Sequence, residues 1–292
     1  MNKFSKLLCL CGILHAPTDL FAQKTSKISD EVTSCYNIHY VSGGNEKQTL
    51  DIYLPKNETG QSLPLIIWVH GGGWGGGDKN NCPPLENGFV RHGYAIASIN
   101  YRLTPDNRFP AQLEDCKAAV RWLRANAADY NLDPDRFAAW GSSAGGHLAS
   151  LLGVTGNTRQ FDAGENLNFS SCVQAVIDVC GPSDLTAREM WDPFFNTRAQ
   201  LLGGTLEEKP ELAAAASPQL YVTKDSAPFS IWHGTKDPRV PISQSERLHE
   251  TLWKAGVQSE LNRVENAGHS LHQHLAEKEL TDKIVLFLKK HL

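Results

Sequence analysis

The pentapeptide Gly141-Ser-Ser-Ala-Gly145 places Ser143 between two glycines, directly after the short apolar run Arg136-Phe-Ala-Ala-Trp140. Where a buried strand turns sharply into a helix, the central residue of such a G-x-S-x-G elbow is forced into strained backbone with its hydroxyl exposed. The segment that follows, Gly146-His-Leu-Ala-Ser-Leu-Leu-Gly153, is small and apolar at helical spacing. The hydroxyl would therefore sit at a helix N-terminus, where developing negative charge is favoured. Ser143 is the candidate nucleophile. A serine hydroxyl needs a neighbouring base to take its proton, and the base needs an acid to hold its tautomer. Phe229-Ser-Ile-Trp-His-Gly-Thr-Lys-Asp237 is an apolar strand that ends in a polar loop, and Leu261-Asn-Arg-Val-Glu-Asn-Ala-Gly-His269 is a strand followed by a small-residue turn. Each would deliver its last side chain to the sheet edge that carries the elbow, so Asp237 is the candidate acid and His269 the candidate base. Asp178, inside the apolar run 173–180, and Asp184, after the Gly181-Pro182 turn, compete for the acid role. Asp237 is preferred because the Asp-Pro-Arg-Val-Pro turn opens a helix where the acid loop is expected. His70, His147, His233, His272 and His274 are alternative imidazoles, read mainly as structural or solvated groups.

Acyl transfer also needs donors aimed at the oxygen that becomes negative in the tetrahedral intermediate. Leu63-Pro-Leu-Ile-Ile-Trp-Val-His70 is a continuous apolar strand that runs into Gly71-Gly-Gly-Trp-Gly-Gly-Gly-Asp78. Glycines let a backbone approach a substrate closely. The amides of Gly72 and Gly73, with that of Ala144, are the candidate oxyanion hole, and His70 is read as a brace for this loop.

The elements that must position these groups alternate between strand-like and helical runs, which indicates one α/β domain. Strands are expected near 36–42, 48–54, 63–69, 93–100, 136–140, 173–180, 229–233 and 258–265. The first pair reads as an antiparallel hairpin around Gly43-Gly44-Asn45, and the rest as a parallel sheet with helices on both faces. Helices are expected from Gln112 to Tyr130, where Leu113, Cys116, Ala119, Val120 and Leu123 keep helical spacing, and from Ser243 to Ala255. The order Ser, acid, His is that of α/β hydrolases.

Six segments carry a closer likeness: His70-Gly-Gly-Gly-Trp74, Asn100-Tyr-Arg-Leu-Thr-Pro105, Phe109-Pro-Ala-Gln-Leu-Glu-Asp115, Asp133-Pro-Asp-Arg136, Gly141-Ser-Ser-Ala-Gly-Gly-His-Leu148 and His233-Gly-Thr-Lys-Asp237. In content and order they resemble the bacterial feruloyl-esterase-like (BD-FAE-like) α/β hydrolases, from about residue 36 to the C-terminus. Related hormone-sensitive-lipase-like esterases share several of them. The resemblance implies an α/β-hydrolase fold with a short cap insertion after the sixth strand, and a triad of Ser143, Asp237 and His269. Two departures point to the feruloyl-esterase-like branch. Ser142 stands where the lipase relatives show an acidic residue, and Asn100 where an Asp-Tyr-Arg triplet is expected. The short stretch before the first strand leaves no room for a long helical cap.

Lys3 and Lys6 precede the apolar run Leu7–Leu14, and Ala22 ends the stretch with a small residue, which reads as a signal peptide over residues 1–22. The expectation is a single catalytic domain over 23–292, secreted or periplasmic, with no membrane contact after signal removal. Loss of the signal removes two lysines and Asp19, taking the formal net charge from -4 to -5. A mildly acidic chain is a poor nucleic-acid binder. Cys35, Cys82, Cys116, Cys172 and Cys180 remain, an odd number with no C-x-x-C pair, and the histidines lack H-E-x-x-H, so neither a metal nor a cofactor is expected. Asn57-Glu-Thr59 and Asn168-Phe-Ser170 are sequons.

The insertion at about 182–228 carries Met190, Trp191, Phe194 and Phe195. With Trp74 these aromatics would form either an apolar wall for an acyl group or sugar ring, or the small core of the insertion itself. The sequence expectation is a secreted serine carboxylic-ester hydrolase. Secretion and the family resemblance together imply acetyl or feruloyl esters of plant polysaccharides or their fragments as substrates. An aryl formamidase or peptidase-like amide hydrolase could use the same triad, and a non-catalytic binding module of this fold is the alternative from another class.

Overall fold

Strands buried on both faces lack polar alternation, and Leu65–Val69, Ala95–Ile99 and Ala175–Val179 are buried at every position. In the computed structural model, which describes residues 30–56, 60–188 and 196–292, these runs are central strands of an eight-stranded sheet. The strands are β1 (Val32–His39), β2 (Thr49–Pro55), β3 (Leu63–Val69), β4 (Ala95–Ile99), β5 (Leu132–Ser142), β6 (Ala175–Val179), β7 (Phe229–Gly234) and β8 (Ser259–Val264). The helices are α1 (Pro83–Glu86), α2 (Ala111–Ala125), α3 (Ala144–Thr155), α4 (Thr197–Leu202), α5 (Pro210–Ala215), α6 (Ser243–Lys254), α7 (His272–Leu275) and α8 (Lys278–His291).

The sheet order is β1-β2-β4-β3-β5-β6-β7-β8. β2 runs antiparallel to both β1 and β4, and the pairs from β3 to β8 are parallel. The first strand, expected at 36–42, runs from Val32 to His39, and a bulge between Cys35 and Ile38 with Asn37 at φ 54 shifts its register. The helix expected to reach Tyr130 stops at Ala125, and residues 127–130 continue as a 3₁₀ turn.

Alternate residues of β3 feed opposite faces of the sheet. Leu65, Ile67 and Val69 pack with Leu113 and Ala119 of α2, Leu148 and Leu152 of α3, and Leu248 of α6. Ile66 and Trp68 pack on the other side with Trp140, Ile177, and Ile284 and Leu288 of α8. Every residue of α3 is buried. That helix descends from Ser143 through the middle of one layer, so the elbow is fixed at its start.

Close approach fixes it further. A Cβ added at Gly145 would lie 2.0 Å from the carbonyl oxygen of Val69. Asp178 on β6 ties the same helix to the sheet, accepting from the Ser150 hydroxyl at 3.1 Å and from the Gly181 amide at 2.9 Å. Its burial raises its pKa to about 6, against the lowering effect of those two hydrogen bonds. The described part of the insertion, α4, α5 and the 3₁₀ turn Pro218–Tyr221, buries Leu201, Leu202 and Ala213 in the core beside α3. Residues 189–195, and with them Met190, Trp191, Phe194 and Phe195, lie outside the described residues, as do residues 1–22 and the sequon at 57–59. Among the described residues no helix is long and apolar enough to cross a membrane.

Gly145→Ala is expected to destabilise the protein by about 1–3 kcal/mol through overpacking, read as a lower midpoint in urea unfolding. Asp178 ionises less readily folded than unfolded, so the stability it costs is absent below about pH 4, accumulates as pH rises, and is complete above about pH 6. Asp178→Asn keeps both hydrogen-bonding partners and removes that cost. The variant should gain up to about 3 kcal/mol over the parent at pH 8 and little at pH 4, measured by denaturant unfolding at both pH values.

Candidate active site

β5 ends at Ser142 and α3 opens at Ala144, leaving Ser143 between them at φ 57 and ψ -120. This conformation strains a residue with a Cβ and persists only when its surroundings over-determine it. The Ser143 amide donates to the Val179 carbonyl of β6 at 2.7 Å, and the Ser143 carbonyl accepts the His147 amide at 3.0 Å. Both backbone groups are thereby committed, and the hydroxyl is carried clear of the sheet.

The loops after β7 and β8 bring the other two groups to it. His269 Nε2 lies 2.8 Å from Ser143 Oγ, and His269 Nδ1 lies 2.7 Å from Asp237 Oδ2. An ionised carboxylate can only accept, so Nδ1 carries the proton and Nε2 presents its lone pair to the hydroxyl. Asp237 Oδ1 accepts the amides of Arg239 at 2.8 Å and Val240 at 3.1 Å. Burial alone would raise its pKa, but the hydrogen bonds from His233 and His269 outweigh that and hold the carboxyl well below the usual carboxylate range.

Two neighbours of Asp237 were not assigned to the site by sequence reasoning. His233 Nε2 lies 2.9 Å from the Val240 carbonyl and 3.3 Å from Asp237 Oδ2, both acceptors, so this nitrogen is protonated. His233 Nδ1 then accepts from the Ser245 hydroxyl at 2.7 Å. The signal was available in the four-residue spacing of His233 and Asp237 at the end of an apolar strand. Cys180, just past β6, has φ 53 and is fully buried with its thiol beside Asp237, and burial raises the thiol's pKa strongly. A cysteine closing an apolar run carries no distinguishing mark in sequence. Cys180, Asp237 and His269 place one potential ligand atom each within 4.8 Å of one another. Burial holds the thiol protonated, and the imidazole nitrogen facing Asp237 carries the proton of the hydrogen bond between them.

The glycine loop faces Ser143 across a cavity of about 430 Å³ lined by Gly72, Gly73, Trp74, Ala144, Val240 and His269, among others. Gly72 and Gly73 have φ +116 and +60, a region that favours glycine, and the Gly72 carbonyl accepts from the amides of Gly75 and Gly76. The Ala144 amide opens α3 ahead of its first internal hydrogen bond. His70 stacks on Tyr101 with ring centroids 4.4 Å apart, and its Nδ1 donates to the Gly71 carbonyl at 2.7 Å. Asn100 accepts from the Lys79 amide at 2.7 Å and donates to Asp78 Oδ2 at 3.1 Å. An aspartate at 100 could not make the second bond, which accounts for the departure seen in sequence. Trp74 borders the cavity but is only 2% exposed, and its indole donates to His147 Nδ1 at 3.1 Å. His147 hands its other nitrogen to the Ala216 carbonyl, and burial lowers its pKa to about 4.

The remaining sequence candidates lie apart from the hydroxyl–imidazole–carboxylate chain. Asp178 is spent on Ser150 and Gly181, Asp184 accepts from Thr186, and His274 pairs with Glu277 at 3.2 Å on the surface. His272 borders the cavity.

Comparison with known proteins places this arrangement. Esterase LipQ of Mycobacterium tuberculosis is 37% identical over 230 residues, which are 76% of this chain and 53% of that protein. The chain spans about half the length of the curated relatives it matches. A solved structure described as a truncated form of carbohydrate esterase from gut microbiota has a TM-score of 0.78 and 31% identity, covering 89% of this chain and 96% of that one. The bifunctional GH43-CE of Bacteroides eggerthii has a TM-score of 0.81 and 30% identity, over 88% of this chain and 38% of its own. Residues 50–252 match the BD-FAE family. With the eight-stranded, mostly parallel sheet, the strand-to-helix elbow and this match over most of its length, the chain belongs to the BD-FAE family of α/β hydrolases.

Proposed function

We propose that this protein is a serine carboxylic-ester hydrolase that works through an acyl-enzyme on Ser143. The observation that carries the proposal is the unbroken chain Ser143 Oγ–His269 Nε2 and His269 Nδ1–Asp237 Oδ2, at 2.8 and 2.7 Å, built on a strained elbow. His269 takes the hydroxyl proton as Ser143 Oγ bonds to the ester carbon, and Asp237 stabilises the imidazolium that forms. The carbonyl oxygen, now negative, is received by the amides of Gly72, Gly73 and Ala144. His269 then gives its proton to the leaving alkoxide as the C–O bond breaks. In the second half His269 takes a proton from water as the water oxygen bonds to the acyl carbon, and gives it to Ser143 Oγ as the acyl–oxygen bond breaks and the acid leaves.

The substrates proposed are acetyl or feruloyl esters of plant polysaccharides or their fragments. Support comes from the likeness to a carbohydrate esterase at 31% identity over nearly the full length of that chain. The apolar start of the chain supports secretion, with residues 1–22 as the signal.

Ser143→Ala should stay folded by near-ultraviolet circular dichroism and lose about 10³-fold or more in kcat/KM on 4-nitrophenyl acetate. Turnover near the parent's level would refute the proposal. Asp237→Asn should cost a comparable factor, because the imidazole loses the acceptor that fixes its tautomer. Assays with acetylated xylan and methyl ferulate separate the two acyl groups: acetate release with little ferulate release marks an acetyl esterase, and the reverse a feruloyl esterase.

A further inference from the structure

The leaving alcohol must take its proton from His269 Nε2, so in any ester bound at Ser143 the alcohol half lies beside that imidazole. Ser270 and His272 follow His269 in the chain and border the cavity. The His272 ring meets Trp68 edge to face at 6.5 Å, and the Trp68 indole donates to the Asn81 carbonyl at 2.7 Å, which fixes the loop that also carries Asp78. Trp68, Asp78 and Asn81 border the same cavity.

This wall is polar where it is open. The Asn81 side chain is exposed, and no described residue hydrogen-bonds its carboxamide. Burial lowers the His272 pKa, as does nearby His269, against the opposing pull of Glu86, so the ring is a neutral donor and acceptor. Asp78 accepts from the Asn80 amide at 3.0 Å and from Asn100, and pairs with Lys47 at 3.6 Å, but its side chain remains 38% exposed. A carboxylate has more lone pairs than these partners occupy. Trp68 is 2% exposed and offers no open ring face on which to stack. Carboxamide, imidazole and carboxylate together match the neighbouring hydroxyls of a polyol, each a donor and an acceptor. An aliphatic alcohol would strip water from all three groups and return no hydrogen bond, and a site of this kind rejects such a ligand.

We infer that Asn81, His272 and Asp78 form the subsite for the alcohol half of the ester, and that this half is a sugar bearing free hydroxyls. The inference rests on the ester-hydrolase proposal, and its test keeps the acyl group constant. A monoacetylated xylo-oligosaccharide and 4-nitrophenyl acetate share the acetyl group and differ in the alcohol. The readout is the ratio of their kcat/KM values in the parent, Asn81→Ala and His272→Ala. Loss of one hydrogen bond should lower the ratio by roughly three- to tenfold in each variant. A ratio equal to the parent's would overturn the inference, whether both substrates slow together or neither does. So would a parent that hydrolyses 4-nitrophenyl acetate but not the sugar ester. Calorimetric titration of xylobiose reads the subsite without turnover: weaker binding in Asn81→Ala than in the parent supports it, and equal or absent binding overturns it. A parent inactive on 4-nitrophenyl acetate contradicts the ester-hydrolase proposal instead, which separates the two failures.

Discussion

Ser143 occupies a backbone region that costs a residue with a Cβ about 1–3 kcal/mol, and the cost is met by packing around it rather than by its own contacts. The Val179 carbonyl holds its amide, the wholly buried α3 holds its carbonyl side, and the close approach of Gly145 to Val69 sets how near the helix lies to β3. These contacts span β3, β5 and β6, neighbours in the middle of the sheet. Parallel pairing of these strands also aligns their carboxyl ends. The glycine loop after β3, the elbow after β5 and the acid loop after β7 therefore open on one edge.

Electrostatics at that edge follow from the crowd of donors around Asp237. Two imidazoles, a thiol and the amides of Arg239 and Val240 converge on one carboxylate. A buried acid with that many donors stays ionised despite its burial. His233 is spent on holding it, with Ser245 and the Val240 carbonyl fixing the ring. His269 is left as the imidazole that joins carboxylate and hydroxyl.

Much of this is legible in the chain because each feature has a local cause. Leu63–Val69 is too apolar to face water on either side, so a central strand follows. Gly141 and Gly145 flank a serine because no larger residue fits there. Asp237 and His269 each follow the carboxyl end of a parallel strand, β7 and β8, on the edge that carries the elbow. What could not be read depends on contacts distant in sequence. Sheet order, with β4 between β2 and β3, leaves no local trace. Asn37 in a left-handed conformation bends β1 without any glycine to announce it. Trp74, read as part of an acyl or sugar wall or of the insertion's core, borders the cavity, but its indole donates to His147, 73 residues away, and the residue lies almost wholly in the core, a contact that nothing local in sequence announces. Cys180 reaches Asp237 only because β6 and β7 are paired.

The central claim is that a covalent ester forms at Ser143. Its most direct test is mass spectrometry of the protein quenched in acid during turnover of 4-nitrophenyl acetate, with the modified peptide sequenced by fragmentation. The account predicts an acetyl group on Ser143, formed at the rate of the nitrophenol burst and absent from Ser143→Ala. An acetyl group on another residue, or steady turnover with no covalent adduct at any quench time under burst conditions, would contradict it.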